Sequence, residues 1–200
     1  SDGSPYPLFA YTGLVPWMYF ANALTGATNS MVENSRVITK VYFPRLLLPL
    51  SIVVGGLIDF AISSGVLLLL MAYYGVVPHW PVLLLPVFVL LAMVTSFAVS
   101  VWLSALNALY QDVRYVVPFL VQFWMLASPV AYPSNMIPSK WKALYGLNPM
   151  AGVIEGFRWA LLGTPSPGPL ILVSAAVVLL LLLGGLYYFR SVERTFADIL

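Results

Sequence analysis

GPLILVSAAVVLLLLLGGLYYF, residues 168–189, carries no charged side chain and, outside its tyrosine pair, a single hydroxyl. A bilayer core about 30 Å thick is crossed by roughly 20 apolar residues of helix, so this stretch is long enough to span one. Working outward, four more stretches meet the same test. Residues 3–32, 80–111 and 115–139 are uncharged, and residues 46–74 are apolar apart from Asp59. The expected spans are about 8–29, 46–74, 81–110, 115–132 and 168–189. Peptide groups inside lipid must bond within the protein, and a helix does so locally, so each span is expected to be α-helical. The fold class is an all-α polytopic membrane protein, with one transmembrane domain over residues 1–200 and five transmembrane helices.

Composition agrees. Of 200 residues, 61% are hydrophobic and 8% charged, against about 25% charged in ordinary soluble domains. Such a surface suits lipid. A net charge of +2, thinly spread, gives no basis for nucleic-acid binding. With no cysteine and one histidine, His79, the sequence offers no thiolate or histidine metal site. There is no GxxxxGK[ST] loop to cradle ATP phosphates and no carboxylate pair for acid–base work. We therefore assign no catalytic residue, no metal and no cofactor to this chain, and expect a conduit rather than an enzyme.

Charge sets direction. In a five-span arrangement Arg36, Lys40, Arg45, Arg114, Arg190 and Arg194 fall on one side, and Lys140, Lys142 and Arg158 on the other. The positive-inside rule makes the first side cytoplasmic, together with the C-terminus and the loop holding Asp112 and Arg114. The start, SDGSPYP, lacks the basic head of a signal peptide. An outside N-terminus without one implies an earlier span, and six are expected in the complete protein.

Residues 131–167 are more than a loop. Asn148 followed by Pro149 is a helix start, an Asn cap and a proline whose missing N–H is not needed. Gly163 is a plausible stop. The 14 residues between are too short to cross, at about 21 Å. Glu155 and Arg158, three apart, can pair on one face. PSKWKALY reads as another short helix, so outer short helices are expected over about 138–163. We read them as a re-entrant hairpin rather than a surface loop. Inside the spans Ser51, Gly55, Asp59 and Ser63 recur every four residues, as do Ser96, Ser100 and Ser104 toward Asn107 and Gln111. Helix packing explains most of these. Asp59 in mid-span is balanced between a packing or assembly role and a place on the conduit.

Four stretches, ENSRVITKVYFPRLLLPLS, LNALYQDVRYVVPFLVQ, WMLASPVAYP and LNPMAGVIEGFRWALLG, resemble in order and spacing the permease subunit of type-2 ABC exporters. The branch they resemble exports polysaccharides such as O-antigen and teichoic acid. The resemblance runs from about Pro7 to the end and lacks the family's first span. It implies a homodimer with a channel between two copies, a separate ATPase subunit that holds ATP and Mg, a lipid-linked glycan substrate, and the cytoplasmic (inner) membrane. It also gives a role to the short basic segment after the first span. Val37, Ile38, Val41 and Tyr42 share one helical face, Arg36 and Lys40 lie on another, and Pro44 should end the element. This resembles the family's coupling helix, expected over about 35–44, with Arg36, Val37, Ile38, Lys40, Val41, Tyr42, Phe43, Pro44 and Arg45 meeting the ATPase; a headgroup anchor is the plainer alternative. The resemblance makes the outer short helices an exit gate, through Pro149, Met150, Glu155, Arg158 and Trp159. For the conduit or the dimer contact the candidates are Asp59, Ser100, Ser104, Tyr115, Phe119 and Phe123. Trp17, Tyr19 and Phe20 could stack on sugars, pack or anchor. A type-2 permease for a drug or lipid is the nearest rival; a secondary carrier or a membrane scaffold would need no ATPase.

Overall fold

The computed structural model describes residues 4–40, 43–133 and 145–199. The described elements are α1 (Tyr6–Glu33), α2 (Ser35–Lys40), α3 (Leu47–Gly55), α4 (Leu57–Tyr73), a 3₁₀ turn (Trp80–Leu84), α5 (Leu85–Leu109), α6 (Val113–Ala127), α7 (Pro149–Leu162) and α8 (Leu170–Ile199). Among the described residues there is no strand. By length and composition, Leu47–Tyr73, Trp80–Leu109 and Leu170–Glu193 can cross a membrane. The other two expected spans differ in kind. α1 is long enough at 28 residues, but its Thr, Ser, Asn and Gly content makes it less apolar. α6 has 15 residues, about 22 Å of helix.

α1 can be less apolar because it lies at the centre. It packs against α3, α4, α5, α6 and α7, and buries Leu8, Phe9, Trp17, Tyr19, Phe20 and Leu24. Its hydroxyls are satisfied within the helix: Thr12 donates to the Leu8 carbonyl (2.8 Å) and Thr28 to that of Leu24 (2.7 Å), the local bond that lets such residues sit in an apolar bundle. Trp17, Tyr19 and Phe20 are therefore packing residues; Tyr19 also donates to the Val53 carbonyl at 2.8 Å.

The boundaries depart from expectation where backbone chemistry intervenes. The second span is divided between α3 and α4 at Gly56. The helix expected to reach 132 stops at Ala127, because Ser128 precedes Pro129 and is extended (φ −104°, ψ 148°); a residue before proline is pushed out of the helical region. The last helix begins at Leu170 and runs 30 residues, well past 189. α2 ends at Lys40, and Phe43 and Pro44 are not helical; Val41 and Tyr42 lie outside the described residues, as do Lys140, Lys142 and most of the expected first short helix.

A separate cluster marks one end of the bundle, where Met31, Ile38, Ala108 and Phe189 pack with Phe43, Leu46 and Val192. This is the basic end, close to Arg36, Lys40, Arg45, Arg114 and Arg190. Toward the opposite end α7 is wedged among α1, α5, α8 and the 3₁₀ turn.

Candidate functional site

α7 starts and stops where its caps dictate. The Asn148 side chain accepts the Met150 N–H at 3.1 Å, and Gly163 sits at φ 68°, a left-handed conformation that suits glycine. Every residue from Pro149 to Arg158 is buried, which excludes the surface-loop reading. Close approach depends on glycine: a Cβ on Gly156 would lie 2.3 Å from the Phe88 ring, and one on Gly152 2.6 Å from Ser174 Oγ. Trp159 meets Trp80 edge-on at 5.8 Å, and Met150 is wholly buried.

Arg158 is 1% exposed and Glu155 8%. The expected pair exists, with Nη1 to Oε1 at 3.7 Å, but it is not the main tether. Arg158 Nη2 donates to the Val130 carbonyl at 2.6 Å, Nε to that of Phe9 at 3.4 Å and Nη1 to that of Tyr132 at 3.5 Å. The guanidinium also lies over the Phe9 ring, 3.7 Å from its centroid. A planar fork of five donors can serve several carbonyls at once, which a lysine cannot. The space for it is at Gly13, where a Cβ would fall 2.6 Å from Nη2. Arg158 thus ties α7 to the start of α1 and to the chain leaving α6. The i, i+3 spacing revealed the carboxylate; the carbonyls, from residues far away in sequence, left no signal.

The other candidates separate by exposure. Tyr115, Phe119 and Phe123, four residues apart, form an exposed aromatic stripe on α6, and Arg114 Nη2 donates to Tyr115 Oη at 2.8 Å. Asp59 is exposed near the middle of the α3–α4 span, as are Ser51 and Gly55, and no side-chain hydrogen bond or ion pair holds it to the described residues of its own chain. Ser100 and Ser104, by contrast, are fully buried. They lie in the interior of this chain's own bundle, where small hydroxyl residues let helices approach closely.

At the basic end the shared apolar face of α2 divides. Ile38 is 5% exposed and packs into the bundle beside Phe189, while Val37 is 46% exposed. The surface that α2 offers outward is Arg36, Val37 and Lys40. Arg45 donates through Nη1 to the Glu193 carbonyl, joining the start of α3 to the far turns of α8. Asp112 is exposed and makes no side-chain cap for α6. Among the described residues no group of His, Cys, Asp or Glu could hold a metal ion.

A bundle with a buried short helix at one end and a basic platform at the other has the parts of a transport subunit. Residues 7–162 match the family model for the ABC-2 type transporter. The chain is a member of that family. Among curated relatives, the O-antigen export system permease protein RfbA of Myxococcus xanthus is 32% identical over 197 residues, covering 96% of this chain and 75% of its own length. Two proteins of the same description from Klebsiella pneumoniae are each 29% identical over 199 residues, covering 98% of this chain and 76% of theirs. The family makes the chain a permease, a membrane-embedded transporter subunit, in agreement with its apolar helices.

Proposed function

We propose that this ABC-2 permease is the channel-forming subunit of an exporter that moves a lipid-linked polysaccharide of the O-antigen class outward across the cytoplasmic membrane. The observation that carries this is the likeness to the RfbA permeases along 96% or more of the chain, which includes both ends of the bundle as well as its hydrophobic middle. Two copies form the conduit, and a separate ATPase that binds ATP and Mg drives it. The basic end faces the cytoplasm, following the positive-inside rule. There α2, with Arg36, Val37 and Lys40 outward, and the Phe43–Arg45 turn receive the ATPase. The exposed stripe Tyr115, Phe119 and Phe123 and the exposed Asp59 face the conduit or the second copy, because a carboxylate in mid-bilayer is held away from lipid. α7, with Pro149, Met150, Glu155, Arg158 and Trp159, closes the exit end.

The test is deletion of the gene in its own host, followed by complementation. Surface polysaccharide should disappear, with polymer accumulating inside, and return with the intact gene; unchanged surface polysaccharide would refute the reading. Orientation is checked separately in this cysteine-free chain. A cysteine at Val113 should label only from the cytoplasm and one at His79 only from outside; the reverse pattern overturns the assignment of the ends.

A further inference from the structure

α6 carries the aromatic stripe yet is weakly held along its length. Val117 is its buried residue, and Tyr115, Val116, Phe119, Phe123 and Leu126 are exposed. Pro118 lies inside the helix and removes one internal hydrogen bond. The ends are a different matter. Asn107 is fully buried in α5. Its Oδ1 accepts the Arg114 N–H at 3.0 Å, the second helical N–H of α6, which the adjacent Asp112 side chain leaves uncapped. Its Nδ2 donates to the Thr28 carbonyl of α1 at 3.0 Å.

Asn148 does the corresponding work at the other end. Its Oδ1 accepts the Trp124 indole N–H at 2.9 Å and the Met150 N–H. Its Nδ2 donates to Ser128 Oγ at 2.9 Å and to the Ala127 carbonyl at 3.3 Å. Both amide orientations are fixed by chemistry, since each Oδ1 meets N–H groups and each Nδ2 meets oxygen. Each side chain is therefore a bridge: the Asn107 acceptor holds α6 and its donor α1, while the Asn148 acceptor joins Trp124 of α6 to the start of α7 and its donor holds the end of α6.

We propose that Asn107 and Asn148 are positioning residues for transport: they pin the two ends of α6 and so set where its aromatic stripe stands. The functional half rests on the export reading above; the pinning half does not.

Ala removes both halves of each bridge, whereas Asp keeps the acceptor that holds Arg114 at one end of α6 and Trp124 at the other and loses only the donor. Hydrogen exchange in membrane discs should show the 113–127 amides exchanging about fivefold faster in Asn107→Ala and Asn148→Ala, the size of one lost cap interaction, with Asn107→Asp and Asn148→Asp closer to the parent. Surface polysaccharide should fall with it. Parental exchange in the two Ala variants would overturn pinning.

The double variant Ser128→Cys with Asn148→Cys guards against misfolding, because the chain has no other cysteine. Oxidised, it replaces the lost amide contact covalently and should regain slow α6 exchange and export; reduced, it should lose both. A reduced form indistinguishable from the parent overturns the proposal. Fast α6 exchange with normal export overturns its functional half alone. Failure of the parent gene to restore surface polysaccharide refutes the export reading and leaves the exchange result standing.

Discussion

α7 and α4 are helices of similar length, 14 and 17 residues, with opposite surroundings. α7 carries a glutamate, an arginine and two glycines and is buried almost throughout. α4 is rich in Leu, Ile and Val, yet its buried residues are Leu67 and Met71 alone, and it shows Asp59 to the outside. In water the more apolar helix would be the inner one. In lipid the solvent is as apolar as leucine, so hydrophobicity does not sort inside from outside; small size and polar bonding do. The helix least able to cross a membrane is the one most tightly built into the protein.

The largest break in this contrast is expected at Arg158. Arg158→Met leaves three carbonyls without its donors and removes one partner of Glu155, and breaking a buried charged contact costs about 3–5 kcal/mol. Unfolding in detergent should show that loss; stability near the parent's would mean that α7 is held by packing alone. Next come matched glycines. A methyl at Gly156 collides with Phe88, and overpacking costs about 1–3 kcal/mol, whereas a Cβ at Gly65 of α4 meets nothing within 4 Å. Gly156→Ala should lower the melting midpoint and Gly65→Ala should leave it level or raise it. Equal losses at both would show α4 to be as enclosed as α7.

The α5–α8 seam should lie between these extremes. Trp102 donates its indole N–H to the Leu181 carbonyl at 2.8 Å and stacks on Tyr188 at 5.3 Å. Trp102→Phe should cost about 1 kcal/mol, the net worth of one hydrogen bond, read by the same unfolding experiment. The smallest effect on stability belongs to Asp59→Leu, within about 0.5 kcal/mol, as for a surface change away from special features. Surface polysaccharide should fall all the same. A variant both stable and fully active would show the carboxylate to be dispensable for transport.

Much of the architecture was legible because lipid demands long uncharged helices, and because caps are local: Asn148, Pro149 and Gly163 announce α7 without any tertiary knowledge. Facing was not legible. The face shared by Val37 and Ile38 was a correct helical period, but period alone does not say that Ile38 turns toward Phe189 of the same chain. Ser100 and Asp59 both fell on four-residue stripes, one of which faces inward and the other outward. Asn107 read as one more small polar residue, since its partners, Arg114 and Thr28, meet it only through the fold. The Arg158 clamp was half visible for the same reason: a side-chain pair has a spacing, while a main-chain carbonyl has no letter in the sequence.

The length of α8 sets a depth. Measured from Leu170, Phe189 stands about 28 Å along the axis at ~1.5 Å per residue, close to the full ~30 Å of hydrocarbon. Ile38 packs beside Phe189, so α2 stands about one hydrocarbon thickness along the bundle from the first turn of α8. The last turns of α8, to which Arg45 is fastened, continue past that level and tie the start of α3 to it.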